Sequence, residues 1–182
     1  MKYLIAITLP KSLSQKLASV QQLYKSERWN IALPPHITLV PPAKLMSSEG
    51  DLKKILTEVA KKFQPLEIKI VGVGRFRNHG NTIFAKVEKS QELSVLQESL
   101  SRRLASCLAI ENSRKRFHPH ITLSNQLKPG EAREKLRTFV NWSQSRVSLA
   151  RRYHCCREMM MNADTKKSLI LHSGRNKCYN FL

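Results

Sequence analysis

The chain reads as an α+β protein, with two antiparallel-rich, sheet-containing lobes flanked by helices around a central cleft. Three observations predict this. Segments of period-two alternation interleave with segments of helical period, in the order strand, helix, strand, helix, strand, strand, helix, strand, helix, strands. The pentapeptide Pro-His-Ile-Thr-Leu occurs twice, at Pro35–Leu39 and Pro119–Leu123, in corresponding places of the two halves. The 182 residues are 41% hydrophobic, enough for a core, and no apolar run approaches the ~20 residues of a membrane helix. No long linker separates the halves, so residues 1–182 are expected to form a single domain with two lobes.

Lys2–Leu9 is expected as the first buried strand; its apolar stretch is short for a signal peptide and no small-residue cleavage site follows. Pro10-Lys11-Ser12 opens a helix to about Lys25, with Leu13, Leu17, Val20 and Tyr24 on one face. Pro34 and Pro35 precede the first pentapeptide strand, and Pro41 and Pro42 are expected to end it. Ser47 or Ser48, followed by acids, marks a helix start, and Leu52, Ile55, Leu56, Val59 and Phe63 carry its period. Leu66–Val73 alternates as a strand, and Gly72–Asn81 reads as a turn-rich segment. Thr82–Val87 returns as a strand. Leu93, Leu96, Leu100 and Leu104 line a helix, and Arg114-Lys115-Arg116 leads into the second pentapeptide. A short helix starts at Pro129-Gly130-Glu131 and reaches about Val140. Arg146–Tyr153, Arg157–Met161 and Ser168–His172 are expected as closing strands.

The repeated pentapeptide carries the chemistry. By pair-counting at average composition, about one chain in a hundred of this length repeats a pentapeptide by chance. Side chains alternate along a strand. His36 and Thr38 therefore share one face, with Ile37 and Leu39 opposite; His120 and Thr122 share another, with Ile121 and Leu123 opposite. Brought together, two such strands line a cleft with two histidines and two threonines. Histidines that titrate near neutrality can serve as general acid and general base. A phosphodiester with an internal leaving oxygen suits this set. One histidine takes a proton from water and the other gives one to the departing ribose oxygen. Thr38 and Thr122 donate to the phosphate oxygens. Which histidine is acid stays open.

Metal chemistry has weaker support. His118-Pro119-His120 has H-x-H spacing, but no acidic residue lies in either pentapeptide or its immediate flanks. No cofactor or metal is expected. His118 reads as a flanking histidine on the strand face, and His79, His154 and His172 carry no motif. The four cysteines, Cys107, Cys155, Cys156 and Cys178, fit neither a zinc pattern nor a disulfide framework. Reduced thiols and a cytoplasmic location are expected.

The net charge is +19 and is spread evenly. Residues 1–91 hold 15 basic and 6 acidic side chains, +9; residues 92–182 hold 17 and 7, +10. A basic tail on a neutral enzyme is excluded, and a polyanionic partner is favoured, nucleic acid above all.

These residues resemble a known family. His36-Ile37-Thr38-Leu39 and His120-Ile121-Thr122-Leu123 are similar to the paired H-x-[ST]-hydrophobic motifs of the two-histidine phosphoesterase superfamily. Within it, the chain resembles the RNA 2′,3′-cyclic phosphodiesterases and 2′-5′ RNA ligase-like proteins over most of its length. The resemblance implies a bilobal, pseudo-twofold fold with each lobe carrying one HxT motif. It also implies metal-free opening of a 2′,3′-cyclic phosphate to a 2′-phosphate, with RNA or oligonucleotide ends as substrate. Many members that act on RNA ends carry an arginine shortly after the second motif, where this chain has Ser124-Asn125. Arg116, Arg75 or Arg77 stand as substitutes for that contact. Phe76, between Arg75 and Arg77, is a candidate to stack on a base. A monomer without membrane association is expected. The alternatives are a 2′-5′ phosphodiesterase or ligase, a phosphodiesterase for small cyclic nucleotides, and a non-catalytic RNA-binding module. Two intact His/Thr pairs disfavour the last, because binding alone does not require them.

Overall fold

The computed structural model describes residues 2–77, 81–110, 116–145, 152–155 and 159–162, with side chains up to residue 139. Its elements are β1 (Lys2–Thr8), α1 (Lys11–Tyr24), β2 (His36–Lys44), α2 (Glu49–Lys62), β3 (Leu66–Phe76), β4 (Thr82–Val87), α3 (Gln91–Leu104), β5 (His120–Ser124), α4 (Pro129–Ser145), β6 (Arg152–Cys155) and β7 (Met159–Asn162). Two antiparallel sheets form, in the orders β2-β1-β7 and β5-β4-β3-β6. The fold is α+β and bilobal. Strand, helix, motif strand, helix occurs twice, as β1-α1-β2-α2 and β4-α3-β5-α4. Each motif strand pairs antiparallel with the strand that opens its own unit.

Helices cross between the units: α1 packs on β5 and α3 packs on β2. This crossing produces one continuous core. Ile37, Leu39, Ile121 and Leu123 meet Leu13 and Leu17 of α1 and Leu93, Leu96, Leu100 and Leu104 of α3 in it. Each such buried aliphatic side chain contributes about 1.5–3 kcal/mol. Beyond β2 the chain bridges back to the segment after α3, where Met46 N donates to the Cys107 carbonyl at 2.8 Å and Ala109 N to the Lys44 carbonyl at 2.9 Å. α2 starts at Ser48, whose Oγ accepts from Asp51 N at 3.1 Å while Asp51 Oδ2 accepts from Ser48 N at 3.3 Å. This reciprocal cap satisfies two amides that the helix leaves open.

The structure departs from the expected element ends in three places. β2 does not stop at Pro41 and Pro42 but runs to Lys44. It is an edge strand, and its register slips at the prolines, where Tyr3 and Ile5 face Ala43 and Val40. An edge strand with a bulge tolerates prolines because no ladder amide is required of them. β3 continues through Gly72 and Gly74 to Phe76, with Gly72 at φ 144° absorbing a second bulge. α4 runs to Ser145, past Val140. Two closing strands are described, Arg152–Cys155 and Met159–Asn162, within the stretches expected from the sequence or next to them; residues 146–151 and 156–158 lie outside the described residues. The expected strand Ser168–His172, the residues Arg114, Lys115, His79 and His172, and Cys156 and Cys178 lie outside the described residues.

Candidate active site

β2 and β5 each form the edge of their sheet, and they pack against one another. This brings the two HxT motifs together. The alternation expected from the sequence holds: Ile37, Leu39, Ile121 and Leu123 are at most 1% exposed, while His36, Thr38, His120 and Thr122 are half-buried on the other face.

Open strand edges leave backbone groups without ladder partners. Glutamines from the crossing helices fill this role at both motifs. Gln21 of α1 donates its amide to the Thr122 carbonyl at 2.7 Å, and Gln97 of α3 donates to the Leu39 carbonyl at 3.3 Å. The end of α1 is further stapled to β5, as Ser124 Oγ donates to the Tyr24 carbonyl and Ser26 Oγ to the Asn125 carbonyl, both at 2.6 Å. Asn125 Oδ1 accepts from Thr82 Oγ1 at 2.6 Å and from Gln126 N at 2.9 Å. Ser124 and Asn125 are therefore engaged in holding the motif strand.

The two histidines are pinned alike. The Nδ1–H of His36 donates to the Pro34 carbonyl at 2.8 Å, and that of His120 donates to the His118 carbonyl at 2.8 Å. A carbonyl only accepts, so the proton of the neutral ring sits on Nδ1 and Nε2 carries the lone pair. Both pKa values are lowered, first by burial, which disfavours the imidazolium, against the opposing bond to the carbonyl. His120 is lowered further by the charges of His118 and His36.

The second histidine sits against an aromatic wall. Phe76 and Phe84 stack with centroids 4.1 Å apart, and His120 stands edge-on to them at 5.0 and 5.2 Å. Gly74 makes this possible. A Cβ there would lie 2.6 Å from Phe84 Cζ, so only glycine lets the ring lie across β3. Phe76 thus lies beside His120. Arg75 does not: it follows the other face of β3, pairs in register with buried Ile83, and its Nη2 donates to Asn81 Oδ1 at 2.6 Å. Arg116 and Arg77 are exposed, four residues before His120 and just past β3. Phe84, Gln21, Gln97 and Lys86, the last in register with His120, escaped the sequence reasoning. The alternation of Thr82–Val87 places Phe84 and Lys86 on one face, a signal that could have found both. Among the described residues no three His, Cys, Asp or Glu side chains gather as a metal-binding group.

A family model described as the 2′-5′ RNA ligase superfamily matches residues 9–154. The chain belongs to that superfamily. A Bacillus licheniformis protein named "Putative phosphoesterase" is 29% identical over 156 residues, 85% of this chain and 88% of the relative. A Bacillus pumilus protein of the same name is 31% identical over 141 residues, 76% of this chain and 78% of the relative. The crystal structure of E. coli LigT complexed with 3′-AMP has a similar fold, with a TM-score of 0.50 at 20% identity, covering 70% of this chain and 74% of that one. The chain is thus a two-histidine, 2′-5′ RNA ligase-like phosphoesterase in family and fold. Among the described residues no helix is long and apolar enough to cross a membrane.

Proposed function

We propose that this protein is a metal-independent phosphodiesterase that opens 2′,3′-cyclic phosphate ends of RNA to 2′-phosphates, residues 1–182 acting as one domain. The observation that carries the reading is the matched pair of histidines on facing edge strands, each pinned through Nδ1 with Nε2 left for chemistry. In the hydrolysis, one neutral Nε2 takes a proton from water as the water oxygen bonds to phosphorus. The P–O3′ bond breaks, and the protonated Nε2 of the other histidine delivers its proton to the departing O3′. Thr38 and Thr122 donate to the non-bridging oxygens as charge grows there. Phe76, half-exposed beside His120, offers a stacking surface for the terminal base. The net charge of +19 suits an RNA rather than a small ligand, which needs only a local patch.

The test is single and double substitution of the histidines. His36→Ala and His120→Ala should each lower kcat by about 10²–10⁴-fold. The double variant should lose far less than the product of the two, because acid and base act in one displacement. Folding should hold, since neither ring lies in the core. A folded His36→Ala variant with near-full activity would refute the reading.

A further inference from the structure

The site is nearly symmetric in backbone and asymmetric in what surrounds each histidine. The residue two before the first motif histidine is Pro34; its counterpart before the second is His118. Both supply the carbonyl that accepts from Nδ1. Only His118 adds a ring. That ring lies 6.5 Å from the His120 ring, centroid to centroid. It stands edge-on to the same aromatic pair, 5.5 Å from Phe76 and 5.5 Å from Phe84. The stacked phenylalanines therefore hold two imidazoles side by side, one exposed and one half-buried.

We propose that His118 is a positioning residue that works through His120: its imidazolium keeps positive charge off His120 and biases the site's proton toward His36. This rests on the reading of His36 and His120 as an acid–base pair. It makes His120 the base that takes the proton from water and His36 the acid that protonates O3′. A unit charge 6.5 Å away opposes protonation by about half a pH unit in a water-like medium, and by more as the effective dielectric falls. The direction agrees with the causes that lower each ring. The charge of His118 is among the causes that lower His120 and is not among those that act on His36, while repulsion between His36 and His120 acts on both rings alike. The other charged groups near His118 do not offset it. Lys86 on β4 shares the face of His120. Arg116 lies two residues before His118 and is exposed. Glu88, just past β4, is paired with Lys69 at 3.3 Å. From β3 this face receives Phe76, with Arg75 on the other side and Arg77 past the strand.

The experiment is NMR titration of the imidazole signals in the ligand-free, full-length protein, for wild type, His118→Gln and His118→Lys. All three keep the backbone carbonyl that pins His120. The glutamine variant should raise the His120 midpoint by about half a pH unit or more and move His36 less. The lysine variant should hold His120 at or below the wild-type midpoint. In kcat/KM, the acidic limb should move with the His120 midpoint. An unchanged His120 midpoint in His118→Gln would overturn the proposal. So would equal upward shifts in the glutamine and lysine variants, because the ring would then act by shielding alone. Activity that survives His36→Ala would defeat the acid–base reading, and the titration would still decide what His118 does to His120.

Discussion

Gly74→Ala should damage stability and activity together, through one ring. A methyl at residue 74 would stand 2.6 and 2.8 Å from Phe84 Cζ and Cε2, and 2.9 Å from Lys86 Cε. Carbon atoms pack at about 3.5–4.0 Å. The lysine end is exposed and can swing away. Phe84 cannot retreat so easily: it is 3% exposed, stacked on Phe76, and in edge contact with His118 and His120. Overpacking of this kind costs about 1–3 kcal/mol, and the stiffer unfolded chain of alanine returns about 0.4–1 kcal/mol, for a net loss of about 1–2 kcal/mol. In a chain of this size that lowers Tm by about 2–8 °C. The displaced ring should also push His120 out of line and lower kcat/KM by about tenfold, within what a small misplacement can do. The assays are urea unfolding and hydrolysis of a 2′,3′-cyclic phosphate oligonucleotide. Adding Phe84→Leu to Gly74→Ala should recover part of the stability, because the clash partner is gone. A Gly74→Ala protein as stable and as active as wild type would refute this reading of the aromatic wall.

Two further outcomes follow from the charges. Burial lowers the pKa of His36 and His120, so the folded protein binds fewer protons than the unfolded chain and stability must fall as pH falls. Unfolding midpoints should be steady above neutrality and decline as pH drops below about 6.5; the paired change His36→Asn, His120→Asn should flatten that decline, and an equal decline in both proteins would contradict it. RNA affinity should weaken steeply as salt rises from low to physiological concentration, since each neutralised phosphate releases counterions. A flat response would argue for a nucleotide-sized substrate.

Much of the site was legible because strand alternation is strict. The spacing of His36 to Thr38 and of His120 to Thr122 decides their shared face, and the apolar residues between them had to face the core. Ser48 and the acids after it marked a real cap, with Asp51 as the reciprocal partner. Other features depended on partners distant in sequence. The prolines at 41 and 42 are strand enders in a central strand and tolerable at an edge, and only the topology makes β2 an edge. Gly72 reads as a turn, but pairing with β4 turns it into a bulge within a longer strand. The roles of Gln21 and Gln97 arise only because α1 and α3 cross to the opposite unit's motif strand. Arg75 was within reach of sequence reasoning: neighbours on a strand point to opposite faces, so Arg75 and Phe76 could not both line the cleft.

Metal-independent cyclic phosphodiesterase activity is tested by incubating the protein with an oligoribonucleotide ending in a 2′,3′-cyclic phosphate, in chelator, and determining the position of the product phosphate. One product is expected, the 2′-phosphate, formed at the same rate with and without EDTA. An intact substrate, a 3′-phosphate product, or activity lost in EDTA and restored by a divalent metal would contradict it.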